Sequence, residues 1–125
     1  MEVIFANPLT MSTQKINVRK KGLDYERKLV IELRSLFGNE EIGTARNLNR
    51  FKDSLKCDIV NVPMFNIQCK AMESVPPYHS LLREMPNDTN YNLIFHKRNN
   101  RGEVVVMSKE DFYELIRMLK VNQII

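Results

Sequence analysis

Apolar residues recur with the period of a helix near both ends of the chain, and short β-rich runs follow one another between them. Together these predict an α/β fold in which helices pack on a mixed β-sheet. The length agrees. With 125 residues, 43% hydrophobic and 27% charged, the chain suffices for one compact core and falls short of two ordinary domains, so residues 1–125 are expected to form a single domain. No internal repeat, low-complexity tract or Gly/Ser linker divides it.

Residues 1–18 alternate apolar and polar side chains only weakly around Pro8, and read as an arm, a short strand or a dimer contact. Over residues 22–37 the spacing of Val30, Leu33 and Phe37, with Leu29 and Leu36 beside them, predicts a helix that Gly38 stops. Strands are expected over residues 42–45, 57–62, 65–72, 91–96 and 103–107. A short helix fits residues 77–85, because proline is tolerated in a first turn and Pro86 would end it. The closing helix spans residues 109–120, where Ser108 and Asp111 make a capping-box-like start and Phe112, Leu115, Ile116 and Leu119 form an apolar stripe.

The formal charge of +4 favours a polyanionic partner, although a solvated basic surface accounts for the same excess. No run approaches the ~18 apolar residues that span a bilayer, and the N-terminus has no basic-then-apolar signal pattern, so a soluble, cytoplasmic protein without membrane segments is expected. Cys57, Cys69, His79 and His96 lack the spacing of a zinc site and are read as reduced thiols and ordinary imidazoles.

Glu26 precedes Val30, Leu33 and Phe37 by four, seven and eleven residues, so a carboxylate shares their apolar helix face. Buried alone it would be costly, and it should meet either a Lys or Arg partner or a metal. The strands holding Asp58 and Gln68 read as a hairpin turning near Pro63. The period of two puts Gln68 and Lys70 on one face and Ile67, Cys69 and Ala71 on the other. An antiparallel register brings Asp58 opposite Gln68 and Cys57 opposite Cys69, the thiols facing away from the acid. A wet polar sheet face is the plain alternative.

An acid, an amide oxygen and an ammonium side by side suit phosphodiester hydrolysis, in which Mg²⁺ neutralises phosphoryl oxygens and lowers the pKa of its water. Mg²⁺ prefers hard oxygen donors. Asp58 is the central candidate ligand, with Glu26, the Gln68 side-chain oxygen and the Cys69 backbone carbonyl completing the set, and Mn²⁺ as an alternative ion. Lys70 is placed to orient a water and offset developing charge.

These residues carry a resemblance. Arg19-Lys20-Lys21-Gly22, Tyr25-Glu26-Arg27, Asp58-Ile59-Val60 and Ile67-Gln68-Cys69-Lys70 stand in an order that resembles archaeal-type Holliday-junction resolvases of the PD-(D/E)XK nuclease superfamily. The motifs cover roughly residues 19–72. The resemblance implies a restriction-endonuclease-like sheet flanked by helices, Mg²⁺-dependent cleavage of DNA, four-way junctions as substrate, and catalytic roles for Glu26, Asp58, Gln68 and Lys70. Cys57 stands where the family usually has proline. Gln68 stands where it usually has glutamate, which removes one negative charge, and Gln-Cys-Lys is similar to the form in Mrr-type restriction endonucleases.

Phosphate contacts are expected from Arg19, Lys20, Lys21 and Arg27, from Arg46, Arg50 and Lys52 in the segment before Asp58, and from Lys97, Arg98 and Arg101 near the last turn. A junction calls for two nicks, so a homodimer is expected, with Ile4, Phe5, Ile124 and Ile125 as contact candidates. The alternatives are a restriction-like, flap or duplex endonuclease, or a catalytically weakened DNA-binding relative.

Overall fold

The computed structural model describes the backbone from Pro8 to Ile125 and the side chains from Asn17 onward. Its elements are α1 (Pro8–Phe37), β1 (Gly43–Thr44), α2 (Ala45–Leu48), α3 (Arg50–Ser54), β2 (Ile59–Val60), β3 (Phe65–Ala71), α4 (Tyr78–Glu84), β4 (Tyr91–Arg98), β5 (Gly102–Val106) and α5 (Lys109–Val121). The five strands form one sheet in chain order. Neighbours are antiparallel except β3 and β4, which run parallel with α4 in the crossover. The expected α/β architecture, a mixed sheet flanked by helices, is what the chain adopts.

The core lies under α1. Tyr25, Leu29 and Leu33, four residues apart, stack on Ile42, Ile59 and Ile67, with Phe65, Cys69 and Ala71 of β3 packed against the cluster. Each fully buried side chain of this size is worth about 2 kcal/mol. Since Ile67 and Cys69 face α1, the alternation of β3 turns Asn66, Gln68 and Lys70 to the opposite face. Tyr78 of α4 approaches that opposite face, its hydroxyl 2.9 Å from His96 Nδ1.

α1 begins at Pro8 rather than at residue 22. Pro8 suits a first helical turn, and the residues that follow lack the apolar period that made the later turns recognisable. From Pro8 on, the arm or strand expected at the N-terminus is therefore helix, whereas Ile4 and Phe5 lie outside the described residues. At the other end Leu36 and Phe37 of the expected stripe remain exposed.

The loop expected before Asp58 is two short helices, α2 and α3, the second capped by Asn49, whose side chain accepts the Lys52 amide at 3.1 Å. β2 is shorter than expected, and it pairs with β3 in the expected register but only at Ile59–Ile67. Lys56, Asn61 and Met64 have φ of 67°, 69° and 74°, so left-handed residues bend the chain on both sides of β2. The ladder that would set Cys57 opposite Cys69 thus closes before it reaches them, and both cysteines are free. α5 starts as expected, with Ser108 Oγ accepting the Asp111 amide at 3.0 Å, yet none of its residues is buried and Phe112 is 47% exposed. Its apolar stripe does not join the core.

Burial pushes the Cys57 thiol up to about 11 and the Cys69 thiol well above its ordinary value. At pH 8 the Cys57 side chain therefore stays in the unreactive thiol form. Native protein should react with a disulfide reagent only as fast as it opens, and both thiols should react within seconds in denaturant. Rapid stoichiometric labelling of the native chain would contradict the packing described.

Candidate active site

Asp58 is held from three directions. Its amide donates to the Ile67 carbonyl at 2.7 Å, its carbonyl accepts the Ala45 amide at 2.8 Å, and its carboxylate Oδ2 accepts the Cys69 amide at 2.7 Å. The first and last of these bonds fall on either side of Gln68, so Asp58 spans the stretch of β3 that carries the amide. In an extended strand a residue's N–H and C=O point to the same edge. The Cys69 carbonyl therefore looks toward the side on which Asp58 sits.

Glu26 approaches from α1, on the Ile67 and Cys69 face, with 15% of its side chain exposed. Arg46 of α2 donates from Nη2 to Glu26 Oε1 at 2.8 Å. The cation anticipated as the plain partner of Glu26 is thus present, and it is one of the residues expected to contact DNA. Burial, then the charge of Asp58, raises the Glu26 carboxyl above the ordinary range, against the opposing pull of Arg46. Asp58 is raised as well, chiefly by burial, with the Cys69 amide and the Lys70 ammonium opposing.

Gln68 is 4% exposed, and its Oε1 has no hydrogen-bond partner among the described residues. An unmet buried acceptor costs about 1–3 kcal/mol and calls for an explanation. Lys70, half-buried on the same face, has no ion pair among the described residues, while its charge is felt at Asp58. Asp58 and the Cys69 carbonyl thus lie at the edge of β3 where β2 departs, Glu26 and Lys70 are within electrostatic reach of Asp58, and Gln68 shares the strand face of Lys70.

Sequence reasoning missed Asp53. Its charge raises both Glu26 and Asp58, which makes it a third carboxylate within electrostatic reach of the pair. Nothing in the spacing marked it, because the helix that presents it, α3, is too short for an apolar period. Among the described residues no three His, Cys, Asp or Glu side chains are grouped to hold a metal. The hard donors carried by this region are the Asp58 and Glu26 carboxylates, the Cys69 main-chain carbonyl and the Gln68 side-chain oxygen, donor types that suit Mg²⁺ with less charge than three carboxylates would give.

Five of the ten cations expected at DNA make ion pairs within the chain: Lys20 with Asp24, Lys21 with Glu73, Arg27 with Asp24, Arg46 with Glu26 and Lys52 with Asp88. Arg19 and Arg50 are exposed and make none among the described residues. Exposed pairs are worth about 0–1 kcal/mol and exchange readily for a phosphate. Comparison with family models, with curated proteins and with solved structures finds no match. The site is read from its own chemistry.

A raised carboxyl pKa in the fold means the folded state holds the proton more tightly than the unfolded chain. Stability is then lost as pH rises from the ordinary carboxylate pKa through the raised one. Asp58→Asn removes the charge and keeps an oxygen for the Cys69 amide. In EDTA at pH 8 it should raise the melting temperature, with the gap closing as pH falls toward about 4. A lower melting temperature at pH 8 would show that the charge itself holds the fold.

Proposed function

We propose that this chain is a Mg²⁺-dependent DNA endonuclease of PD-(D/E)XK type, acting on branched DNA with Holliday-junction resolution as the leading activity. The observation that carries the reading is Asp58, fixed at the β3 edge by the Cys69 amide and within reach of the Lys70 charge, on a strand that also bears the unpartnered Gln68 oxygen. Asp58, Glu26, Gln68 Oε1 and the Cys69 carbonyl are the groups that would hold the ion. When bound, Mg²⁺ supplies Lewis-acid stabilisation of a phosphoryl oxygen and a more acidic water.

The chain's own residues do the rest. Lys70 brings a positive charge beside Asp58, where negative charge grows on the phosphorus centre. Arg46 keeps Glu26 anchored near Asp58 and screens part of their repulsion. Arg19 and Arg50, with the exchangeable surface pairs, supply phosphate contacts.

Resolution requires two opposed nicks, and a C₂ homodimer supplies two sites. Exposed Ile124 and Ile125 and the open apolar stripe of α5 offer a surface for it. A second reading, a DNA-binding relative with weakened catalysis, draws on two features: Gln68 is neutral, and Glu26 is already paired with Arg46.

The test is a panel of four-way junction, flap, duplex and single-stranded DNA with Mg²⁺, with sedimentation of the junction complex. Wild type should nick the junction preferentially and bind it as a dimer. Lys70→Ala and Asp58→Asn should each lose at least about a hundredfold in rate, the range that metal ligands and electrostatic groups command, while still binding DNA. Gln68→Glu should lower the Mg²⁺ concentration for half-maximal rate. Undiminished cleavage by Lys70→Ala or Asp58→Asn would remove the assignment, and binding without cleavage by wild type would favour the second reading.

A further inference from the structure

The turn between β4 and β5 carries Lys97, Arg98 and Arg101, and the fold separates them. Lys97 lies on the α1 face, its Nζ 5.9 Å from the centre of the Tyr25 ring. Arg98 and Arg101 instead line a cavity of about 490 Å³, together with Tyr78, His96, Val75 and Val104. No carboxylate lines this cavity.

Its wall is fixed. His96 is 2% exposed, and both ring nitrogens are engaged, Nε2 with the Met72 carbonyl at 2.7 Å and Nδ1 with the Tyr78 hydroxyl at 2.9 Å. A carbonyl only accepts, so Nε2 carries a hydrogen and donates it, and in the neutral ring Nδ1 accepts from the Tyr78 hydroxyl. Against this wall the Nε–H of Arg98 is buried with no partner, and neither Arg98 nor Arg101 makes an ion pair among the described residues. Glu73, an acid on which the Arg98 charge acts, is taken by Lys21 Nζ at 3.2 Å and by the Asn99 amide at 2.7 Å. An unmet guanidinium donor in a cationic cavity asks for an anion with several oxygens.

The cavity's position says which anion. In the parallel ladder His96 is the partner of Lys70, so the two share a sheet face, and Arg98 follows two residues along the same face. The step from Lys70 to Arg98 is one strand spacing across, about 5 Å, and two residues along, about 7 Å. That step is short enough for a strand running across it, with its scissile phosphate at Lys70, to bring a neighbouring backbone phosphate to the cavity.

We propose that the cavity bounded by Arg98, Arg101, Tyr78 and His96 is a phosphate subsite that seats a backbone phosphate next to the one processed at Lys70. The proposal rests on the DNA reading given above, and its test keeps the two apart. Binding of a DNA duplex and a junction is measured in EDTA across salt concentrations for wild type, Arg101→Gln and the Arg98→Gln/Arg101→Gln double variant, with Lys120→Gln on α5 as a control cation. In parallel, inorganic phosphate is titrated into wild type and the double variant while the Tyr78 and His96 ring resonances are followed. Arg101 is exposed on the turn, so Arg101→Gln remains informative if the double variant folds poorly.

The double variant should lower the slope of log affinity against log salt by about 0.9, the value for one phosphate, equally for every sequence. Arg101→Gln should weaken binding in the same direction, and Lys120→Gln should leave the slope unchanged. Inorganic phosphate should shift both rings in wild type only. Unchanged slopes with no phosphate shift overturn the subsite. Phosphate shifts with unchanged slopes overturn the DNA backbone as its source in favour of a free phosphate. If wild type binds no DNA at all while phosphate still shifts the rings, the DNA reading fails and the anion pocket stands.

Discussion

The bond from the Cys69 amide to the Asp58 carboxylate decides the geometry around it. A strand amide at this position would ordinarily meet a carbonyl of the neighbouring strand. Here a side chain takes its place, so β2 can leave β3 after the Ile59–Ile67 pair without orphaning the amide. The departure leaves the edge of β3 beyond that pair without a strand partner, and Asp58 lies there. Glu26 arrives from the α1 side, while Gln68 and Lys70 belong to the other.

That arrangement is held at some expense to the fold. Two carboxyls sit with raised pKa values, a buried amide oxygen has no donor, and three non-glycine residues near β2 adopt positive φ. Such conformations cost about 1–3 kcal/mol each and persist where the surroundings enforce them. The enforcing structure is the packed contact of α1 with β3, in which Leu29, Leu33, Ile59 and Ile67 are buried. The apolar face of α1 therefore fixes the approach of Glu26 as well as the core.

How much of this could be read from the residues depends on whether a period was present. The two faces of β3 were legible, because alternation at 65–71 leaves little choice of which side chains share a face. Ser108 and Asp111 announced α5 through cap chemistry that is local and needs no tertiary partner. The first turns of α1 were not legible, since helix propensity without an apolar stripe leaves no pattern. α2 and α3 are each under two turns, shorter than any window that detects periodicity, and with them went the pairing of Arg46 to Glu26 and the proximity of Asp53. The exposure of the α5 stripe is a fact of packing, and an amphipathic sequence alone does not say what covers it.

The central claim is that Asp58, Glu26, Gln68 Oε1 and the Cys69 carbonyl form one divalent-ion site. Crystals soaked in Mn²⁺ and measured for anomalous scattering address it without reference to any substrate. The account predicts a peak bounded by these oxygens, with Gln68 Oε1 or the Cys69 carbonyl in direct contact and the peak lost in Asp58→Asn. A saturating soak that leaves the β3 edge empty, or that places the ion elsewhere in wild type, would contradict it.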